Sequence, residues 1–125
     1  MYHAFLIGIG GFAGAISRYF VSRYLGNIFP GFPLGTLVVN VSGTFILGFL
    51  MYSISHGKII SPDIKDLITV GFIGALTTMS TFSYETFRLA ELNEMFYCLL
   101  NFILNIVLCF GSVYASKALA ELIYN

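Results

Sequence analysis

Gly71-Phe72-Ile73-Gly74-Ala75-Leu76-Thr77-Thr78-Met79-Ser80-Thr81-Phe82-Ser83 is the stretch on which the fold turns. It opens as an apolar run fit for a bilayer and then sets hydroxyl side chains at five of the seven positions from 77 to 83. A helix of about 3.6 residues per turn spreads that run around its whole circumference, so no single polar face can hold it. Hydrocarbon offers hydroxyls no partner, so the run is buried on all sides, broken open, or lining a polar path. Gly74 permits unusual backbone, and the following hydroxyls can satisfy amides and carbonyls that a break releases. The stretch predicts a spanning helix broken at mid-membrane.

The rest of the chain supplies the bilayer setting. Of 125 residues, 58% are hydrophobic and only 10% are charged, against about 25% charged in a soluble domain. Such a chain cannot cover its own surface with solvated groups; it is an integral membrane protein whose surroundings are lipid. Six basic residues against six acidic ones give no attraction for nucleic acid or an anionic surface. A spanning helix needs about 20 mostly apolar residues, and four stretches qualify: residues 4–25, 33–55, 67–87 and 95–119. The connectors are short, so residues 1–125 form a single four-helix transmembrane domain with no room for a soluble one. No Lys or Arg precedes the first apolar stretch, which therefore reads as a mature span and not a removable signal. Cys98 and Cys109 lie eleven positions apart in one segment, about 16 Å of helix rise, and read as reduced thiols.

Four spans put both termini and the second connector on one side. Lys58, Lys65 and Lys117 fall on that side and Arg18, Arg23 and Arg88 on the other. A protein inserted one way carries an excess of Lys and Arg in the cytoplasm; the even count predicts dual topology and an antiparallel homodimer. Gly10 and Gly14 form a small-xxx-small pair suited either to that dimer interface or to packing inside one subunit. For the third span, with Gly71 and Gly74, the interface is favoured.

Polar side chains inside the spans carry the functional argument. Thr36, Asn40 and Gly43 share a face of the second helix; Asn101, Asn105, Cys109, Ser112 and Ser116 form a stripe on the fourth. Asn40 serves either as an interhelical packing bond or as a group on a polar path. Carboxylates are nearly absent from the spans, whereas amides, hydroxyls and the ring edges of 13 Phe and 8 Tyr are abundant. Donors without embedded acids favour a path for a small anion. Arg18, near the end of the first span, is either a snorkelling side chain or a positive vestibule group. Glu85 is a partner for Arg18, a packing residue, or a pore-mouth group. Carbonyls exposed at a break in the third helix, met by a second antiparallel copy, would make an oxygen cage for a structural cation. His3 and His56 are terminal and loop residues from which no metal or proton role is expected. No zinc-like ligand spacing, phosphate loop or catalytic triad occurs, so an enzyme is not expected.

Three motifs then converge. Gly10-Gly11-Phe12-Ala13-Gly14-Ala15-Ile16-Ser17-Arg18-Tyr19, Gly35-Thr36-Leu37-Val38-Val39-Asn40-Val41-Ser42-Gly43, and Gly71 through Ser83 followed by Tyr84-Glu85 resemble, in order, the Fluc (CrcB-type) fluoride channel family. The resemblance implies a dual-topology antiparallel homodimer in the bacterial inner (plasma) membrane. It implies two fluoride pores, passive export of fluoride and a central sodium ion. By position, the Gly74 and Thr77 carbonyls correspond to the sodium ligands, Asn40 to a pore amide, Phe82 to a member of the aromatic box, and Arg18 to a vestibule arginine. Met79, Ser80, Thr81, Ser83, Asn101 and Asn105 join the pore wall; Met79 departs from the Phe usual in the family, and Asn101, Asn105 and Cys109 depart from its usual Tyr and Ser. Two other classes stand against this one. A small multidrug-type exporter would need a carboxylate in the first helix, which is absent here. A non-transporting membrane assembly subunit would not need polar stripes on three helices.

Overall fold

The computed structural model describes residues 1–124, and all its regular structure is helical. Four helical spans are long and apolar enough to cross a membrane: Tyr2–Ile28, Leu34–Ser55, Pro62–Glu91 and Met95–Tyr124. The first is α1, the second α2 and the last α6. The third is composite, running through α3 (Pro62–Asp66), a π-helical segment (Leu67–Ile73), α4 (Gly74–Leu76) and, after a gap, α5 (Met79–Glu91). The break expected in the third helix is present, at Thr77 and Thr78. The first and third spans outrun their apolar stretches at both ends and the fourth at its C-terminal end, whereas the second does not. Ser61 shows why in the third: its hydroxyl accepts the Ile64 N–H at 3.4 Å, and Pro62 occupies the first turn. Gly57 (φ +91°) and Asn93 (φ +60°) make the turns that follow α2 and α5, conformations open to glycine and tolerated by Asn.

The chain runs up and down, with both termini beside the second connector. His56 lies 6.4 Å, ring to ring, from Tyr124, and the Lys58 ammonium sits 5.4 Å from the same ring. His3 is not idle: its two ring nitrogens meet Asp63 at 2.6 Å and Asp66 at 3.0 Å, tying the start of α1 to α3. The opposite end is closed by the first connector, where Phe32 packs on Tyr97.

Large apolar side chains point outward along α1 and α6, including Phe5, Phe12, Phe20, Phe110 and Tyr114, while Asn101, Asn105, Ser112 and Ser116 are buried. This is the inside-out distribution a hydrocarbon solvent favours. α2 packs on α6, and α1 packs on the π segment. Gly10 and Gly14 belong to that second contact. A Cβ on Gly10 would strike the Leu67 carbonyl and one on Gly14 the Phe72 carbonyl, both backbone atoms that cannot move aside. The pair is therefore a packing surface within the subunit. Gly71 faces back into the same contact, against the Ile7 carbonyl, while Gly74 is exposed on the outer surface.

Candidate functional site

At the break the backbone is extended at Thr77 (φ −84°, ψ 152°) and Thr78 (φ −152°, ψ 122°). Asn40 of α2 lies against it. Its Oδ1 accepts the Thr78 N–H at 2.8 Å, and its Nδ2 donates to the Thr78 carbonyl at 3.2 Å. One side chain thus gives Thr78 the two-way pairing a neighbouring strand would give. In an unbroken helix the Thr78 N–H would serve the Gly74 carbonyl, and the Thr81 N–H would serve the Thr77 carbonyl. Here the first goes to Asn40 and the second, at 3.2 Å, to the hydroxyl of Thr78, which caps α5. The Gly74 and Thr77 carbonyls lose their helical donors through one local event.

Beside the break is a recess of about 280 Å³ lined by Asn40, Thr44, Thr77, Thr78, Met79, Phe82, Asn105, Ile106, Cys109 and Phe110. None of these side chains carries a fixed charge. Phe82 is almost wholly buried and stacks on Phe102 with centroids 6.2 Å apart. Of the residues expected on the path, Asn40, Met79, Phe82 and Asn105 come together here. Asn101 is fully buried behind them, with its Nδ2 on the Thr86 hydroxyl at 2.8 Å. Ser80 and Ser83 face out of the subunit, as does Met79, whose side chain is 69% exposed. Thr44 and Phe110 were not singled out from the sequence. Thr44 lies one turn beyond Asn40, and extending the α2 face by that turn finds it; Phe110 carries no comparable signal among so many apolar neighbours.

Thr81 opens instead onto a second recess of about 510 Å³, shared with Arg18, Tyr19, Ser22 and Arg23. Arg18, the cationic group expected at a vestibule, therefore sits beside the hydroxyl run, with Arg23 in the same recess. Arg18 does not pair with Glu85, or with any other acid among the described residues. Glu85 takes a hydrogen bond from the Thr36 hydroxyl at 3.0 Å, while its Oε2 is buried with no partner among the described residues. It lines a third recess, about 290 Å³, at the end closed by the first connector, together with Ser22, Tyr84 and Arg88. No group of three or more His, Cys, Asp or Glu side chains is placed to hold a metal among the described residues.

The sequence pattern of the CrcB-like proteins, described under camphor resistance (CrcB), matches residues 5–117. The chain belongs to the CrcB-like family. Its similar relatives include the "Fluoride-specific ion channel FluC" of Methanocaldococcus jannaschii, 50% identical over 96% of this chain and 95% of the relative. The "Fluoride-specific ion channel FluC 1" of Methanosarcina acetivorans is 45% identical over 94% of this chain and 89% of its own length. A bacterial relative with the same FluC name, from Shewanella putrefaciens, is 43% identical over 95% and 96%. The family resemblance read from the three motifs is borne out, and relatives of the CrcB-like chain carry the names of ion channels and not of enzymes.

Proposed function

We propose that this CrcB-like chain is a fluoride channel, acting as an antiparallel homodimer in the inner (plasma) membrane of a bacterial or archaeal cell. Fluoride leaves the cytoplasm passively through two pores, and a structural sodium ion sits at the dimer axis. The names of the relatives supply the ion. The observation that carries the reading is the uncharged, donor-bearing recess formed where the third helix breaks. A small anion entering a membrane needs its hydration replaced by donors, without a fixed cation that would trap it. The hydroxyl of Thr44, the ring edges of Phe82 and Phe110, and the amino end of α5 are of that kind. Arg18 and Arg23 would concentrate anions at one mouth. Glu85 would stand at a pore mouth, holding Thr36.

The dimer is supported by what faces outward. Gly74, Ser80 and Ser83 are exposed on the subunit surface beside the break, where hydrocarbon is a poor neighbour for hydroxyls and a second helix surface is a good one. The Gly74 and Thr77 carbonyls suit a hard cation, which takes oxygen ligands. Two from each of two copies would hold sodium and neutralise the oxygen dipoles that meet there.

Purified protein reconstituted in liposomes should release fluoride down its gradient with little chloride leak. Release no faster than from empty liposomes would overturn the channel; proton-coupled uptake of an organic cation would promote the exporter class instead.

A further inference from the structure

Asn40 lines the recess, yet both hydrogens of its amide nitrogen are engaged, one on the Thr78 carbonyl and one on Asn105 Oδ1 at 3.1 Å. The chain of bonds continues inward. Asn105 Nδ2 donates to the backbone carbonyl of Asn101 at 2.9 Å and to its Oδ1 at 3.0 Å. Asn101 Nδ2 donates to the Thr86 hydroxyl at 2.8 Å, and that hydroxyl donates to the Phe82 carbonyl at 2.7 Å. The direction of every bond is set by backbone. The Thr78 N–H can only donate, which turns Asn40 Oδ1 toward it and Nδ2 toward Asn105. Asn105 must then present its oxygen to Asn40 and its nitrogen to the Asn101 carbonyl, which can only accept. The Phe82 carbonyl fixes Thr86 in the same way. Reversing any one amide sets oxygen against oxygen or nitrogen against nitrogen, in a place where Asn101 is 0% and Asn105 4% exposed.

We propose that Asn101 and Asn105 are positioning residues: they form an amide relay, donating one way from Asn40 to Thr86, that locks Asn40 onto Thr78 and so holds the break open. They act through Asn40 and need not touch the ion. The relay is anchored at Thr78, the cap of α5, and at Phe82 within α5, and thereby also fixes the turn that carries the Phe82 ring. Its connection to ion passage rests on the channel reading above; its effect on the break does not.

The test is hydrogen exchange at the Thr78 amide, measured on the full chain in detergent beside fluoride release from liposomes. Asn105→Leu keeps the branched four-atom shape of the side chain, with somewhat more bulk, and removes every bond it makes. It should speed Thr78 exchange about tenfold, the scale of losing a hydrogen bond and the restraint behind it, and should lower fluoride release. Asn105→Ser is smaller but keeps an acceptor for Asn40 and a donor for the Asn101 carbonyl, and should stay within about threefold of the parent. A residue needed only for its bulk would rank these two the other way. Thr86→Val, nearly isosteric and outside the recess, should also speed Thr78 exchange, and serves if Asn105→Leu does not fold. Unchanged Thr78 exchange in Thr86→Val, or in a folded Asn105→Leu, overturns the relay. A parent protein that releases no fluoride overturns the channel alone, because the exchange ranking still decides the relay.

Discussion

Replacing Asn40 by Asp changes one NH₂ to an oxygen and removes nothing else, so its effect can be worked from three contacts. The bond from the Thr78 N–H to Oδ1, 2.8 Å in the parent, survives. The two donated by Nδ2, to the Thr78 carbonyl at 3.2 Å and Asn105 Oδ1 at 3.1 Å, become oxygen against oxygen. Each acceptor left unpaired in a part-buried site costs about 1–3 kcal/mol, so the pair costs about 2–6 kcal/mol. A protonated Asp could serve only one of the two, leaving about 1–3 kcal/mol. At about 1.4 kcal/mol per factor of ten, the native arrangement at the break falls at least about fivefold and at most by about four orders of magnitude. A carboxylate that stays ionised would also repel an anion in the recess. Asn40→Asp should therefore abolish fluoride release from liposomes while the protein still elutes at the parent's size in detergent. Release within about twofold of the parent, below the smallest of these costs, would refute the assignment of Asn40 to the break.

Four further outcomes are expected. Gly14→Ala drives a Cβ into the backbone carbonyl of Phe72 and should lower thermal stability by about 1–3 kcal/mol, the cost of overpacking, read as a lower melting temperature in detergent. Gly74→Ala meets nothing nearer than the Thr69 carbonyl at 3.7 Å; it should leave the helical content by circular dichroism unchanged and reduce the dimer fraction by crosslinking, and an intact dimer would remove Gly74 from the interface. Met79→Phe should preserve or raise fluoride release, since the side chain stands largely outside the subunit beside the recess, and a large loss would remove position 79 from the aromatic wall. His3, exposed in the first turn of α1 before the apolar run at residues 4–25, holds Asp63 and Asp66 on its two nitrogens, which only the imidazolium can do as donors, and its pKa is raised above 6.5 by Asp63 first and Asp66 second. A raised folded pKa gives stability that is fully present below 6.5 and lost as pH rises through the folded value. The melting temperature of the parent should therefore exceed that of His3→Gln below pH 6.5 and converge with it as pH rises above that value.

Apolar run length was enough to find all four helices, because the bilayer sets how many residues a span must have. The break was legible for a related reason: five hydroxyls in seven positions have no continuous helical face to share. What failed to show was tertiary. The π segment Leu67–Ile73 has no residue pattern that encodes a wider turn, and it sits where Gly10, Gly14 and Gly71 let two backbones approach closely. For the same reason the Gly10–Gly14 pair could not be assigned from spacing alone, since small residues serve an intra-subunit contact and a dimer contact equally well. At its start the third helix extends past its apolar run to Pro62 because the Ser61 cap acts outside the hydrophobic signal. Sequence alone allows Asn40 both packing and path, and the geometry explains why: it lines the recess while its donors point at Thr78 and Asn105.

A single local event links the two ionic roles proposed for the break. Diverting the Thr78 and Thr81 amides releases the Gly74 and Thr77 carbonyls at the end of α4 and, in the same step, begins α5 with its positive end toward the recess. The oxygens suit a cation; the amino end suits an anion. Neither could be kept without the other, since restoring the Thr78 bond to Gly74 would remove one carbonyl from the cage and rejoin α4 to α5. Because backbone supplies the opposing partial charges, the recess needs no ionised side chain, and none lines it. An embedded carboxylate or ammonium would have to be desolvated and would bind one ion strongly. On this view the hydroxyl run contributes chiefly by replacing helical hydrogen bonds at Thr78, with Asn40 holding the result in place, and selectivity is built from main-chain geometry that the amide relay maintains.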